Sequence, residues 1–235
     1  MSLLLAACIL SAQSPPAKED AERLYGNRTD LASARRAAEL WAATLTRNQK
    51  DFEAAWKLAR ADYWLGGHVA DNERVAFLED GVARGRAAVL LEPDRAEGHF
   101  WMAANMGALG QSSSRAGLKY RSAIKEELET VLRIDRAFLQ GSADRALGRW
   151  YAKVPRLLGG SRKNAEMHLR ESLKYNPRST ASHFFLAELM LDEGRRADAR
   201  GELQQVIDAP HDPEWDPEDQ EFKAQARALL ARMSP

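Results

Sequence analysis

The sequence is poor in cysteine, in long apolar runs and in excess charge of either sign. Cys8 is the only cysteine among 235 residues, which excludes an intrachain disulfide and a cysteine-based zinc site. Lys and Arg together number 34, as do Asp and Glu, so the chain lacks the basic surplus typical of nucleic-acid-binding proteins. No run reaches the roughly 18 apolar residues of a membrane span. With 45% hydrophobic and 29% charged residues, the composition is that of a folded chain.

The cysteine lies in an N-terminal segment without helical periodicity. The residues Leu5-Ala6-Ala7-Cys8 resemble the lipobox of bacterial lipoproteins, whose cysteine receives a lipid anchor. Seven residues without a basic side chain precede Cys8, which is short for a signal peptide, so either the true start lies upstream of Met1 or the match is chance. We predict that residues 1–29 are a signal remnant and flexible tether, that Cys8 is lipidated, and that the protein is periplasmic at the cell envelope. A chance match would instead fit a secreted or cytoplasmic protein.

From about residue 30 onward, apolar residues recur at helical spacing, and no stretch alternates with the period of a strand. Glycine and proline interrupt this pattern at intervals, where helices are expected to end. The spacing predicts five helix pairs: 30–47 with 51–66, 71–91 with 94–109, 116–134 with 140–153, 161–175 with 178–193, and 196–208 with 216–233.

The predicted helices share an internal repeat. A small residue stands five positions before a proline at Ala88 and Pro93, and again at Ser172 and Pro177, while residues 147–151 read Leu-Gly-x-x-Tyr. These features resemble the tetratricopeptide repeat (TPR), in which two helices form a hairpin and successive hairpins stack. Irregular spacing and insertions indicate a short, divergent superhelix or a compact bundle. We therefore predict an all-α, TPR-like repeat domain over residues 30–235.

Small residues and one inserted turn add detail to this prediction. Gly148, Ala187 and Ala199 are expected to let paired helices approach closely.

An aromatic helix end at Trp150, followed by Val-Pro and Gly-Gly within residues 154–160, resembles the T-component family of TRAP transporters. The resemblance implies an all-helical, non-enzymatic periplasmic lipoprotein that oligomerises, associates with a solute-binding protein, and handles an apolar ligand in a cavity.

Aromatic residues cluster on the helices predicted at 94–109, 140–153 and 178–193, which would line the concave side of the repeat array. Adjacent residues of a helix point about 100° apart, so Phe100 and Trp101 cannot both face one core. We predict a groove for a ligand or partner, with core packing as the alternative for at least half of the aromatic residues. The predicted groove residues are His99, Phe100, Trp101, Asn105, Met106, Arg145, Arg149, Trp150, His183 and Phe184.

The polar members of this set have two interpretations each. Arg145 and Arg149, one helical turn apart, could bind an anionic ligand or pair with Asp144 and Glu171. His99 and His183 occupy the same repeat position and are either structural histidines or polar contacts for a ligand.

Sequence features of catalysis are absent. The five histidines form no zinc-binding pair, and neither a Gly-x-Ser-x-Gly elbow nor a phosphate-binding loop occurs. The acidic stretch 208–219 predicts a helix start, with Asp216 as N-cap and Pro217 in the first turn, rather than a calcium site.

We therefore predict a non-enzymatic binding protein without metal or cofactor that engages a protein partner or an apolar small ligand. It is not expected to bind nucleic acid, would contact a membrane only through a lipid anchor, and could be a homo-oligomer. The alternative is a scaffold for envelope protein complexes that has no small ligand.

Overall fold

Helices form the regular structure throughout the range that the computed structural model describes, residues 17–233. No strand occurs in that range, which confirms the all-α prediction. Helices α2 to α11 agree with the predicted ones to within a few residues. In chain order the elements are α1 (Ala17–Gly26), α2 (Leu31–Arg47), α3 (Phe52–His68), α4 (Asp71–Leu91), α5 (Ala96–Ser112), α6 (Ser114–Ile134), α7 (Phe138–Lys153), a 3-10 turn (Arg156–Leu158), α8 (Arg162–Tyr175), α9 (Thr180–Asp192), α10 (Arg196–Asp208) and α11 (Asp216–Met233).

The helices form hairpins that stack along the chain. The tightest packing joins α3 to α4, α5 to α6, α7 to α8, and α9 to α10, while α4 also packs closely on α5 of the next hairpin. The predicted pairing was therefore wrong by one helix, because it joined each hairpin's second helix to the following one. Most connections on both sides of a helix are short, so spacing alone does not distinguish a turn within a hairpin from a turn between hairpins.

The first helix lies inside the segment predicted as a tether. Helix α1 packs on α2, and its Ala21 and Tyr25 are buried in a cluster with Trp41. The tether prediction therefore needs correction for residues 17–29, since the repeat array starts at Ala17 among the described residues. Helix α1 has only 10 residues, is largely polar and follows a Ser- and Pro-containing stretch, so its short apolar face did not indicate a helix.

Apolar side chains form successive clusters along the array instead of one central core. One cluster joins α1, α2 and α3, a second joins α3 to α7, and a third joins α7 to α11. This arrangement is expected of a repeat protein, in which each hairpin contacts mainly its neighbours. None of the described helices combines the length and the apolar character needed to cross a membrane.

Several helices begin with a polar N-cap residue whose side chain accepts a hydrogen bond from a backbone N–H group of the first turn. The carboxylate of Asp51 accepts the N–H of Ala54 at 2.9 Å, and the Ser179 hydroxyl accepts the N–H of Ser182 at 3.2 Å. Asp216, predicted as an N-cap, is already the first residue of α11. Its carboxylate accepts from the Gln220 side chain, which lowers the pKa of Asp216.

Small residues permit close contact within hairpins, as predicted. A Cβ atom at Gly148 would lie 2.5 Å from Cγ of Leu169 and 3.1 Å from the Ala165 carbonyl oxygen. Ala187 and Ala199 are fully buried between α9 and its neighbours. The hairpin formed by α7 and α8 therefore depends on the missing side chain at position 148.

The inserted turn after α7 has its own backbone requirements. Gly159 has a φ of 107°, and a Cβ at Gly160 would lie 1.8 Å from the Val154 carbonyl oxygen. The N–H of Ser161 then donates to the Tyr151 carbonyl at 3.0 Å, which returns the chain to the end of α7. The Gly-Gly pair thus folds the insertion back against the helix it follows.

Candidate functional site

The concave side of the array encloses a cavity of about 1370 Å³. Its walls come from α3, α5, α7 and α9, the first helices of four successive hairpins. Residues of α6, of the inserted turn and of the C-terminal segment 210–225 complete the enclosure. The helices predicted to form a groove therefore do face a common space, and additional elements close much of it.

Eleven aromatic side chains contribute to the wall of the cavity. Trp101 contacts Tyr63 at a ring-centroid distance of 5.8 Å and Phe100 at 5.1 Å. On the opposite side, Phe222 lies 5.5 Å from both Phe184 and Phe185. The lining aromatic residues are Tyr25, Tyr63, Trp64, Phe100, Trp101, Trp150, Tyr175, Phe184, Phe185, Trp215 and Phe222. The rings around Trp101 and those around Phe222 pack on one another, so these two parts of the wall are formed without a ligand.

Arg145 lines the cavity without a carboxylate partner. No hydrogen bond or ion pair of its guanidinium occurs within residues 17–233, and its Cζ atom lies 6.0 Å from the Trp215 ring centroid. Asp144, an expected alternative partner, is instead bound by Arg136 at 2.9 Å and His168 at 2.7 Å. Removal from water lowers the pKa of Arg145 to about 10, a value at which the side chain still carries its charge at neutral pH.

Arg149 is neutralised, unlike Arg145. Its NH1 donates to Glu188 at 2.7 Å, and its Cζ lies 4.2 Å from the Phe185 ring centroid. Glu171, the other predicted partner for these arginines, pairs with Lys174 at 2.7 Å. The two arginines of α7 therefore differ in what they offer to a ligand.

The C-terminal helix closes the cavity against the N-terminal end of the array. The Arg28 guanidinium donates to the Glu214 carbonyl at 3.0 Å and to the Glu218 carboxylate, with the Nε contact at 3.2 Å. His68 contacts Glu221 through Nε2 at 2.6 Å. Burial raises the pKa of Glu218 although Arg28 acts in the opposite direction. Trp215 and Phe222 thus reach the cavity from a segment far along the chain.

Comparison with known families identifies the chain. The family described as regulator of microtubule dynamics protein 1-3 matches residues 18–234. The chain belongs to this family. No curated protein matches its sequence.

Solved structures confirm the TPR fold of this family member. The thermophilic TPR protein TTC0263 from Thermus thermophilus superposes with a TM-score of 0.68 at 20% identity, covering 91% of this chain and 99% of that chain. Two crystal structures of MamA give TM-scores of 0.52 and 0.51 at 13% and 12% identity, covering 85% and 89% of this chain and 95% and 94% of theirs. At these low sequence identities the similarity shows the fold alone.

Six predicted groove residues line the cavity, and four do not. Those at the wall are Phe100, Trp101, Arg145, Arg149, Trp150 and Phe184. Phe185, the neighbour of Phe184, lines the cavity as well, and these aromatic residues contribute to the wall while packing against their neighbours.

His99 and His183 are structural. Each bridges the turn before its helix to the next helix: His99 contacts the Pro93 carbonyl and Glu127, and His183 contacts the Pro177 carbonyl and Glu202. Their placement in the groove was therefore wrong. Because the two histidines occupy the same repeat position, each makes the same pair of structural contacts in its own repeat.

Asn105 and Met106 also belong to the interior. The Asn105 amide donates to the carbonyls of Ala59 at 2.9 Å and Trp101 at 2.8 Å, which ties α5 to α3. Met106 is buried in the cluster that joins α3 to α7. Both residues face away from the cavity wall, since helical neighbours of wall residues turn toward the adjacent hairpin.

Sequence reasoning missed Tyr63, Phe222 and Trp215 as cavity residues. Tyr63 stands at the tyrosine position of its repeat, seven residues after Trp56, and that signal indicated only the fold. The other two reach the cavity because α11 returns to the N-terminal end, a long-range contact without a local pattern. Cys8, the predicted lipidation site, lies outside the described residues.

Proposed function

We propose that this protein is a non-enzymatic interaction protein and that the aromatic cavity is its binding site. The observation that supports the proposal is the cavity of about 1370 Å³, whose wall includes packed groups of aromatic rings. Its ligand is an apolar small molecule or an apolar segment of a partner protein.

The cavity is large enough for a small apolar ligand or for an apolar segment of a partner protein. Ligand sites commonly measure roughly 300–1,000 Å³, so the space exceeds that of a typical small-molecule site. Burial of apolar ligand surface stabilises a complex by about 25 cal/mol per Å². A cavity with fixed walls also avoids part of the cost of ordering side chains on binding.

Filling the cavity tests the proposal. Gly107 lines it with no atom within 4 Å of an added Cβ, so the Cβ of Gly107→Phe meets no clash and its ring should fill part of the space. We expect the neutral apolar dye N-phenyl-1-naphthylamine to bind the native protein saturably, and Gly107→Phe to bind it at least tenfold more weakly. Gly67→Phe is the matched control, because Gly67 also has no neighbour within 4 Å but does not line the cavity. Equal binding by both variants would contradict the proposal.

The same variants distinguish a partner segment from a small ligand. A partner that enters the cavity should co-purify with the native protein and with Gly67→Phe, and should be lost with Gly107→Phe. The alternative, a scaffold that binds partners on its outer face, predicts that all three forms retain the partner. Quantitative mass spectrometry of the three co-purified samples makes the comparison.

We further propose an envelope lipoprotein that is associated with TRAP-type solute transport and forms homo-oligomers. The N-terminal lipobox-like segment ending at Cys8 and the resemblance over 143–177 support this proposal. Mass spectrometry of native-host membrane fractions should find diacylglyceryl-modified Cys8 as the N-terminal residue, and a TRAP solute-binding protein should co-purify. An unmodified chain that retains Met1 would contradict the lipoprotein proposal.

A further inference from the structure

We propose that the cavity binds an amphipathic organic acid, with one carboxylate on an apolar body, and that Arg145 holds the carboxylate. The inference rests on the proposed function of the cavity and adds the chemical class of its ligand. It depends on a guanidinium that lines the cavity, is shielded from water and has no ion pair among the described residues.

Three nearby cations are already neutralised by this chain, whereas Arg121 and the exposed Arg178 also line the cavity without an ion pair among the described residues. Arg149 and Lys153 share Glu188, at 2.7 and 3.6 Å, and Arg28 is bound by Glu218. Arg145, within the part of the chain described, has no such partner, and loss of water lowers its pKa. A desolvated cation without a counter-charge is costly, and an anion that enters the cavity removes this cost.

The surroundings of Arg145 favour a carboxylate on an apolar body. A guanidinium can donate two parallel hydrogen bonds to a carboxylate, which fixes the orientation of the ligand. Tyr63, which is 40% exposed, also lines the cavity and interacts electrostatically with Arg145, and its phenol can donate a hydrogen bond to an anion. Around these groups Trp101, Phe184 and Trp215 present apolar surface for the rest of the molecule.

Two acidic residues near Arg145 limit the ligand to one negative charge. Glu218 and Asp219 lie close enough to affect the pKa of Arg145, but Glu218 is bound by Arg28 and Asp219 accepts the Thr180 hydroxyl. They therefore do not replace the missing partner. A second carboxylate on the ligand would meet their negative charge, so a monocarboxylate fits better than a dicarboxylate.

The experiment compares three probes with the same nine-carbon alkyl chain: decanoate, the neutral decanamide and the cationic nonyltrimethylammonium. Binding is followed by calorimetry and by the fluorescence of the cavity tryptophans, below the micelle concentration. We expect decanoate to bind about ten- to a hundredfold more tightly than decanamide, as charge-assisted hydrogen bonds predict. The cation should bind most weakly.

Arg145→Met removes the charge and keeps much of the side-chain volume, so it should abolish the preference for decanoate and leave decanamide binding within about twofold. Arg145→Lys keeps the charge but loses the paired donors, and its preference should be intermediate. Arg86→Met, an exposed position on α4, is the control and should behave as the native protein. If Arg145→Met does not fold, the affinities of the three probes for the native protein and for Arg145→Lys still test whether Arg145 binds the carboxylate.

The outcomes separate this inference from the proposed function. Equal affinity of the native protein for decanoate and decanamide would overturn the anion site and leave the apolar binding site standing. An undiminished preference for decanoate in folded Arg145→Met would also overturn it. If none of the probes bound and N-phenyl-1-naphthylamine also failed to bind, both proposals would be wrong.

Discussion

Arg28 and Glu218 stand 190 positions apart in the chain, yet their side chains form an ion pair that joins the two ends of the repeat array. The Arg28 side chain is 7% exposed, and its guanidinium also lies over the rings of Tyr25 and Trp64. A TPR array without such a contact is open at both ends. Here the contact holds α11 across the concave side and converts a groove into a cavity.

Loss of this ion pair should loosen the closure. Arg28→Met leaves Glu218 without its cation in a partly buried site, so we expect the free energy of unfolding to fall by about 2–3 kcal/mol. Hydrogen exchange of α11 should rise more than that of α5. Urea unfolding and exchange mass spectrometry measure the two effects.

The control for that variant is Arg36→Met. Arg36 pairs with Glu39 on the surface, where both side chains are more than half exposed, at 59% and 64%. Its loss should change stability by less than about 0.5 kcal/mol. Similar exchange of α11 in Arg28→Met and the native protein would show that the ion pair does not hold the closure.

A buried carboxyl group should make stability depend on pH. Asp62 is 4% exposed, its Oδ2 atom has no hydrogen-bond partner within residues 17–233, and burial together with the charge of Asp80 raises its pKa to about 8 from the ordinary 3.8. Because the folded state holds this proton more tightly, the free energy of unfolding should fall as pH rises from about 4 to about 8. The expected slope is roughly 1 kcal/mol per pH unit within that window.

Asp62→Asn removes the titrating group and should flatten this pH dependence. Asp94→Asn, at an exposed position, should retain the native dependence. Urea unfolding midpoints measured between pH 4 and pH 9 compare the variants. If the stability of Asp62→Asn fell with pH as steeply as that of the native protein, another group would be responsible for the pH dependence.

The bridging histidine His99 should add a second pH-dependent contribution to stability. Both of its ring nitrogens face acceptors, the Glu127 carboxylate at 2.5 Å and the Pro93 carbonyl at 2.8 Å, so only the protonated ring donates to both. The bond to Glu127 is the main cause that raises the pKa of His99 above its ordinary 6.5. The stabilisation is complete below about pH 6.5 and is lost as pH rises through the raised pKa.

His99→Gln should therefore cost about 1–2 kcal/mol at pH 6 and less at pH 9. His211→Gln, at an exposed histidine, should cost little at either pH. Urea unfolding gives the costs, and NMR titration should place the pKa of the native His99 ring above 6.5. A cost for His99→Gln that does not change with pH would show that the ring acts through packing alone.

Local patterns predicted the helices, because each helix has a repeated apolar face and a polar or glycine-containing end. Residues such as Gly148 and Ala187 also indicated close hairpin packing from the sequence alone. The pairing of helices was not predictable in the same way, since the short loops before and after α3 look alike. Helix α1 was missed because its apolar face is short.

The cavity was predicted only in part, for a physical reason. Phe100, Trp150 and Arg145 lie on helices whose role in the repeat was recognisable. Trp215 reaches the cavity through the return of α11, which depends on contacts between the two ends of the chain. His99 was misplaced because a repeat position gives a direction relative to the helix but does not reveal the carboxylate of Glu127 on the next helix.

Two glycine positions test the close packing directly. Gly148→Ala would place a Cβ atom 2.5 Å from the Leu169 Cγ and 3.1 Å from a backbone oxygen, so we expect it to cost about 1–3 kcal/mol. Gly201→Ala meets no atom within 4 Å in the middle of α10 and should stabilise the protein by about 0.5–1 kcal/mol, because alanine favours helix more than glycine does. If urea unfolding shows that Gly148→Ala lowers the free energy of unfolding and Gly201→Ala raises it, the packing of α7 on α8 requires a residue without a side chain at position 148. A stabilising effect at both positions would mean that Leu169 moves aside at little cost and that close approach at this hairpin is not required for its stability.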